Sequence, residues 1–195
     1  MSGKETCQKI LAATLEVIAR EKISGTRMHL IAKEAGLIQS NLHYYYPTKN
    51  DLLIALLDDL QEKFSTNRRK VVNPAEQTFL QNFQAILEEK KADILHNQKL
   101  DYVQFDYWVQ GTVNPAVRAT FQKTFDIWRS DIAQVFAQGR FESEPARKVL
   151  PMLPYLMVSL MMGASMQYLI AEGQFDLDAY FDIAGQAILK LLETA

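Results

Sequence analysis

The sequence is poor in the residues that form disulfides and metal sites. It contains one cysteine in 195 residues, so no disulfide can form within the chain. Its three histidines and its cysteine show none of the paired spacings of a metal site. Cys7 lies on an apolar helical stripe, which favours a small core residue over a redox sensor. We therefore predict a cytoplasmic protein that binds no metal and no cofactor.

The motifs of the common enzyme classes are absent as well. No nucleophile elbow, phosphate-binding loop or metal-binding box occurs, and His29, His43 and His96 are far apart in the sequence. Neighbouring carboxylates such as Glu88 and Glu89 stand among lysines, as on a solvated helix surface. The sequence thus predicts no catalytic residues and no enzyme.

A strong excess of positive charge is also missing, since the formal net charge is −2. The charge is nevertheless unevenly distributed. Residues 1–70 contain 11 lysines and arginines against 8 aspartates and glutamates, whereas residues 71–195 contain 10 against 15. Basic character is concentrated at the amino-terminal end, which is where we expect any contact with nucleic acid.

The stretch from Thr26 to Leu53 has the pattern of two short helices and the start of a third. Gly36 ends the first helix, because glycine adopts a left-handed conformation at little cost. The second helix begins at Gln39 and is stopped by Pro47. Thr48 then caps helix 4, with an acidic residue three positions later. This arrangement is a helix-turn-helix, whose second helix can enter the major groove of DNA.

The same residues resemble the amino-terminal domain of TetR-type transcriptional regulators. The resemblance rests on ILAATLEVI before the motif, IAKEAGL at its turn and LHYYYPTKNDLL after it. It is strong over residues 8–56 and faint beyond. It implies that a first helix, from about Gly3 to Lys22, packs onto the two short helices. Where the family commonly has a glycine at the end of this helix, the chain has Lys22, and we expect Gly25 to take that role.

The resemblance implies a DNA-binding surface on the two short helices and at the start of helix 4. The chemistry agrees, because Gln39 can pair with adenine and Lys49 at a helix start suits a phosphate. Departures from the family at Arg27, Met28 and His43 affect which bases are recognised. The alternative is a packed helical corner with solvated polar residues. The predicted DNA-binding residues are Arg27, Met28, His29, Gln39, Ser40, Asn41, His43, Tyr44, Thr48 and Lys49.

Helical periodicity continues along the rest of the chain, and no stretch alternates with the period of a strand. We predict an all-α fold of about nine helices. The helix-turn-helix DNA-binding domain spans residues 1–47, a connecting helix 4 spans residues 48–72, and a ligand-binding and dimerisation domain spans residues 73–195. Arg68, Arg69 and Lys70 close helix 4, where basic side chains suit the negative pole of the helix.

Residues 149–171 carry no charge and are long enough to cross a bilayer. Pro151, Pro154 and Gln167 argue against a membrane span, so we predict no membrane contact. A helix that is apolar on all sides is buried on more than one side. The resemblance implies a four-helix contact between two subunits through the last two helices. The predicted homodimer interface consists of Leu153, Leu160, Gly163, Ala164, Tyr168, Ile183, Ala187 and Ile188.

Aromatic residues are frequent between residues 102 and 128, where the family resemblance implies a pocket for a small-molecule inducer. YWVQGTVNPAVRATF and WRSDIAQVF faintly resemble the choline-responsive repressors of the family. An aromatic box beside Asp101, Gln104 or Asp106 suits a cationic ligand. Aromatic residues at this spacing also occur as ordinary helix core, which is the alternative. The predicted ligand-binding residues are Tyr102, Phe105, Trp108, Phe125, Trp128 and Met157.

These features predict a ligand-responsive transcriptional regulator. The expected function is repression, in which a homodimer binds a palindromic double-stranded DNA operator and is released by a small molecule. The alternative is a helical protein that binds a small molecule or a lipid and retains a vestigial DNA-binding region.

Overall fold

The structure is a computed structural model that describes residues 2–193, and within them it is helical without any strand. Counting the uninterrupted helical run 144–170 once gives nine helical segments, so the predicted all-α class is confirmed. The helices are α1 (Gly3–Gly25), α2 (Met28–Glu34), α3 (Gln39–Tyr45), α4 (Lys49–Val71), α5 (Phe79–His96), α6 (Gln98–Val113), α7 (Pro115–Phe136), α8 (Glu144–Val149), a 3-10 turn (Leu150–Met152), α9 (Leu153–Ile170) and α10 (Leu177–Glu193).

Local capping determines where several helices begin. Before α4, the Asp51 amide donates to the Thr48 hydroxyl at 3.1 Å, and the Thr48 amide donates to the Asp51 carboxylate at 3.0 Å. This confirms the cap predicted after Pro47. A similar reciprocal pair between Thr78 and Gln81 starts α5. Each pair satisfies backbone N–H groups that have no partner inside the helix.

The described chain divides into two compact units. The first comprises residues up to Lys63 together with Lys99–Thr124, and the second comprises Phe64–Gln98 together with the residues from Phe125 onward. These limits differ from the domain limits expected at 47 and 72, because α6 and the start of α7 pack with the amino-terminal helices. The division of labour between DNA binding and ligand binding remains a prediction.

The first unit has a core of aliphatic side chains from α1 to α4. Ile10, Val17, Ile31, Leu42 and Leu52 are completely buried, which joins the two short helices to their longer neighbours. Helices of seven residues are unstable alone, so this packing is what holds α2 and α3 in place.

Cys7 lies at the edge of this core rather than inside it. The side chain is half-buried, in contrast to the predicted core position, and it lies close to the Tyr46 side chain. Burial, followed by the neighbouring Cys7, raises the pKa of Tyr46 to about 12.

Helix α6 belongs to the first unit through polar contacts along its length. The Tyr107 hydroxyl donates to the Leu53 carbonyl at 2.7 Å, and Lys99 pairs with Glu16 of α1 at 2.9 Å. Just beyond α6, Asn114 donates to the Asn50 side chain at the start of α4 at 2.6 Å. These contacts attach α6 to α1 and α4.

The second unit is built around a larger apolar core. Phe83 and Ile86 of α5 pack with Trp128 and Ile132 of α7 and with Met157 of α9. Within the described chain, the helical run 144–170 is long and apolar enough to cross a membrane, and 39% of its most apolar window is buried. One such helix is weak evidence for a membrane protein, because the core helix of a soluble protein has the same composition.

Candidate functional site

The helix-turn-helix is formed by α2, a tight turn and α3. Gly36 ends α2 with a φ of +60°, as predicted, and the Leu37 amide donates to the Ala32 carbonyl at 2.9 Å across the turn. On α3, only Leu42 is buried in the core, so the polar side chains of this helix face outward. Tyr44 is 81% exposed.

The predicted DNA-binding residues belong to α2, α3, the residue before α2 and the start of α4. Met28 and Lys49 are half-buried, and the other members of the set are exposed. The exposed members are Arg27, His29, Gln39, Ser40, Asn41, His43, Tyr44 and Thr48.

His43 is held between two protein groups. Its Nδ1 is 3.0 Å from the Pro47 carbonyl, which can only accept, so Nδ1 carries the proton. Nε2 of a neutral ring then accepts a hydrogen bond from the Gln39 amide nitrogen at 3.2 Å. The Gln39 amide keeps its oxygen and one N–H, which is the pair that a bidentate contact with adenine requires. His43 thus orients Gln39, a role that the sequence did not indicate.

Three of the predicted DNA-binding residues already make hydrogen bonds within the protein. Arg27 donates to the Ser24 carbonyl at 2.7 Å, and the Thr48 hydroxyl donates to Asp51 at 2.7 Å. Lys49 donates to the Ile23 carbonyl. Burial, followed by nearby Arg27, lowers the pKa of Lys49, whereas Asp106 opposes this shift. A phosphate contact by these side chains has to be shared with, or replace, the contacts described.

The end of α1 contains an unusual backbone conformation. Lys22 has φ 60° and ψ 166°, a region that glycine adopts far more readily than other residues. Gly25 does not take this role, contrary to the expectation. The next residue, Ile23, is held from both sides, because its amide donates to Asp106 of α6 and its carbonyl accepts from Lys49 of α4.

We expect Lys22→Gly to raise the free energy of unfolding by about 1 kcal/mol. Relief of the backbone strain is worth about 1–3 kcal/mol, and the greater freedom of glycine in the unfolded chain offsets part of it. Urea unfolding measures the change. Lys33→Gly in α2 is the control. It is expected to lower the free energy of unfolding by about 1 kcal/mol, because Lys33 is an exposed helical residue and glycine disfavours the helix. Equal losses in both variants would show that Lys22 does not have a positive φ in solution.

The predicted ligand-binding residues are divided between the two units. In the first unit, Tyr102 and Trp108 are exposed and Phe105 is half-buried. In the second unit, Trp128 and Met157 are core residues, being 6% and 1% exposed. The two aspartates expected beside the ligand differ in their surroundings. Asp106 accepts a hydrogen bond from the Ile23 amide, whereas Asp101 is buried within the first unit.

Two of the aromatic rings predicted to bind a ligand already have an arginine beside them in the second unit. The Arg68 guanidinium lies 5.2 Å from the Trp128 ring centre, and Arg129 lies 5.8 Å from that of Phe125. Among the described residues, no group of His, Cys, Asp and Glu side chains is placed to hold a metal ion.

Comparison with known proteins supports the interpretation of the helix-turn-helix. Residues 10–56 match the family described as bacterial regulatory proteins, tetR family. The amino-terminal part of the chain therefore matches the domain that bacterial regulators of the tetR family carry. The predicted family is thereby confirmed over the residues that carry the motif.

Two relatives add to this comparison. An uncharacterized HTH-type transcriptional regulator from the dhlA 5′ region of Xanthobacter autotrophicus is 24% identical over 166 residues, which cover 85% of this chain and 80% of that protein. The HTH-type transcriptional regulator RutR of Escherichia coli is 44% identical over 48 residues. That match covers 25% of this chain and only 23% of RutR.

A solved structure shares the fold of the whole chain. A protein from Saccharomonospora viridis, described as a putative transcriptional regulator and determined in complex with choline, superposes with a TM-score of 0.79. The sequences are 22% identical, and the superposition covers 95% of this chain and 96% of that one. At this level of identity, the similarity concerns the fold alone.

The residues predicted for the dimer interface fall into two groups. Leu153, Ala164 and Ile188 are at most 2% exposed, so their side chains are already covered within the subunit. Leu160, Gly163 and Tyr168 are half-buried, whereas Ile183 and Ala187 are exposed. The structure also exposes large apolar side chains that the prediction omitted, namely Met152, Tyr155, Leu156, Met166, Ile170 and Leu191.

A cavity in the second unit was also missed by the sequence analysis. It has a volume of about 320 Å³ and lies beside Arg68, Arg69 and Asp131. The sequence feature that could have indicated this cavity was the basic cluster at the end of α4, which we interpreted only as a favourable charge at a helix terminus.

Proposed function

We propose that the protein represses transcription by binding a palindromic operator as a homodimer, and that a small molecule releases it from DNA. The observation that carries this proposal is the surface of α3. Gln39, Ser40 and Tyr44 are exposed there, on the second helix of a helix-turn-helix whose apolar side is fully packed. Exposed polar and aromatic side chains at this position suit contacts with base edges in the major groove.

The face formed by α9 and α10 supports the dimer. Apolar side chains recur along one side of α9, from Tyr155 and Leu156 to Met166 and Ile170, and Ile183 of α10 is 68% exposed. A two-fold axis would place this face against its own copy, which removes the apolar surface from water. Two subunits then present two α3 helices to successive half-sites of the operator.

Regulation by a small molecule follows if the ligand and the operator favour different conformations of the dimer. The coupling is reciprocal, so the operator also weakens ligand binding. The cytoplasm, where DNA and metabolites meet, is the proposed location, with no contribution from a membrane or from catalysis. The choline-bound neighbour shows that this fold accommodates a small molecule in another protein.

The test is titration of the purified protein with a palindromic duplex from the DNA upstream of its own gene. We expect it to bind this duplex at least 1,000-fold more tightly than a scrambled duplex at moderate salt. Binding to both should weaken steeply as salt increases. Equal affinity for the two duplexes would contradict the proposal and would favour a helical carrier of small molecules or lipids with a vestigial DNA-binding region.

Tyr44→Ala is expected to weaken operator binding at least tenfold, since each half-site loses a contact worth about 1–3 kcal/mol. The dimer should remain intact, as measured by light scattering. Leu80→Ala is the control, because Leu80 is also an exposed apolar residue but lies on α5 of the second unit. Loss of the dimer in Tyr44→Ala would instead show that this side chain lies in a subunit contact.

A further inference from the structure

The cavity in the second unit lies between the end of α4, α5 and α7. Ile86 and Ile132 provide apolar walls, whereas Arg68, Arg69 and Asp131 provide charge. Its volume of about 320 Å³ is at the lower end of the range of ligand pockets. Such a space accommodates a small molecule with one apolar part and one polar part.

Arg68 lies beside this cavity without the hydrogen bonds that a buried guanidinium normally has. The residue is 9% exposed, and its Nε has no hydrogen-bond partner among the described residues. The nearest carboxylate oxygen, Oδ2 of Asp131, is 3.8 Å from Nη2, which is beyond hydrogen-bond distance. Because a buried charge is costly without such bonds, a ligand that accepts hydrogen bonds would be stabilised here.

The other polar groups around the cavity are also mainly donors. Arg69 is 3.6 Å from Asp131, again too far for a hydrogen bond, and its side chain is largely exposed. The Gln138 amide nitrogen is buried and has no hydrogen-bond partner in the described chain, while its oxygen accepts from Asn82. Among the lining residues, Asp131 is the one carboxylate beside two guanidinium groups and a free amide N–H, and its own Oδ2 is also buried without a hydrogen-bond partner.

Two further acidic groups lie near Arg68 but are not part of the cavity lining. Glu89 and Asp93 both attract the charge of Arg68. Burial, followed by repulsion from Asp93, raises the pKa of Glu89. Asp93 in turn pairs with Lys90 at 3.4 Å. Among the lining residues themselves, two arginines stand beside one carboxylate.

We propose that this cavity binds a small organic carboxylate, with the carboxylate on Arg68 and Arg69 and the apolar part against Ile86 and Ile132. Arginine is well suited to this contact, because its planar group donates two parallel hydrogen bonds to a carboxylate. The inference that such a carboxylate is the inducer rests on the proposed function. Binding of the carboxylate itself does not depend on DNA.

A cationic ligand is disfavoured at this position. No aromatic side chain is among the residues that line the cavity, and the nearby Trp128 ring already has the Arg68 guanidinium 5.2 Å from its centre. A second positive charge would be repelled by both arginines. The sign of the ligand charge is therefore the property that separates this proposal from the aromatic cage expected from the sequence.

The experiment compares benzoate, benzamide and benzylammonium, which share a ring but differ in charge. Calorimetric titration of the full chain is expected to give at least tenfold tighter binding for benzoate than for benzamide, and weaker binding still for benzylammonium. Hexanoate is included as a second carboxylate, so that the shape of the ring does not decide the result. Equal binding of benzoate and benzamide, preferred binding of the cation, or no binding of either carboxylate would overturn the proposal.

Three variants locate the site. We expect Arg68→Met and Arg69→Gln each to weaken benzoate binding about tenfold. Arg69 is largely exposed, so its substitution should have little effect on folding. Asp131→Asn should strengthen it, because a negative charge beside the site is removed. Arg147→Gln, on the exposed surface of α8, should have no effect. Unchanged binding in both arginine variants, or weaker binding in Asp131→Asn, would exclude this cavity.

The proposed function is tested separately with the unliganded protein and the palindromic duplex. If the protein binds the duplex but no carboxylate, the proposed function is supported and the proposed carboxylate site is contradicted. If it binds benzoate through Arg68 but shows no preference for the duplex, the carboxylate site is supported and the proposed function is contradicted. The two failures are therefore distinguishable.

Discussion

Tyr107→Ala is expected to lower the free energy of unfolding of the first unit by about 3–5 kcal/mol, which is the usual cost of removing a buried aromatic ring. Tyr107 is fully buried, and its hydroxyl donates to the Leu53 carbonyl of α4 at 2.7 Å. Its burial also raises the pKa of the hydroxyl, so the side chain is neutral and is a donor at all ordinary pH values. The substitution removes both the packing and the hydrogen bond between α6 and α4.

The chain's two tryptophans allow this loss to be assigned to one unit. Trp108 lies in the first unit and Trp128 in the second, so a Trp128→Phe background gives fluorescence from the first unit alone. Urea unfolding in that background measures the change. Tyr107→Phe is the matched control and should cost only about 0.5–1.5 kcal/mol, because the ring remains. Equal costs for alanine and phenylalanine would contradict the packing of α6 described here.

The helix-turn-helix was predictable because its signals are local. Gly36 at the turn, Pro47 after α3 and the Thr48–Asp51 cap each act within a few residues of their position. The backbone therefore follows from short stretches of sequence. The orientation of Gln39 by His43 is also local, spanning four residues, but it depends on which ring nitrogen faces Pro47, and sequence alone does not specify this.

The position of α6 was not predictable in the same way. Its aromatic residues indicated a pocket or a core, and periodicity does not tell which neighbouring helix they meet. The structure shows that α6 packs on α1 and α4 through Lys99, Asp106 and Tyr107. These partners are more than 50 residues away along the chain. Contacts over such separations depend on tertiary packing rather than on local preference.

The dimer residues illustrate a related difficulty. Helix α9 is apolar on all sides, so its sequence does not distinguish the side that packs within the subunit from the side that remains exposed. Leu153 and Ala164 belong to the inner side, whereas Met166 and Ile170 belong to the outer side. The sequence thus predicted a second covering surface without indicating which residues form it.

The α9 and α10 face gives the second large expected effect. Ile183→Glu should convert the protein to monomers and weaken operator binding by about 100-fold or more, because joint binding of two half-sites contributes a factor of about 10² to 10⁴. Two-fold symmetry places the new charge in the interface twice, where each copy loses contact with water. Ile183 is 68% exposed in the subunit, so the fold itself should be unaffected.

Sedimentation equilibrium measures the loss of the dimer, and titration with the palindromic duplex measures the loss of affinity. Val113→Glu is the matched control, since Val113 is 76% exposed and apolar but lies on α6 of the first unit. It should remain dimeric and bind the operator normally. A dimer that survives Ile183→Glu and dissociates in Val113→Glu would place the subunit contact on α6. If both variants remained dimeric but only Ile183→Glu lost operator affinity, the α10 face would act on DNA binding by a route other than dimerisation.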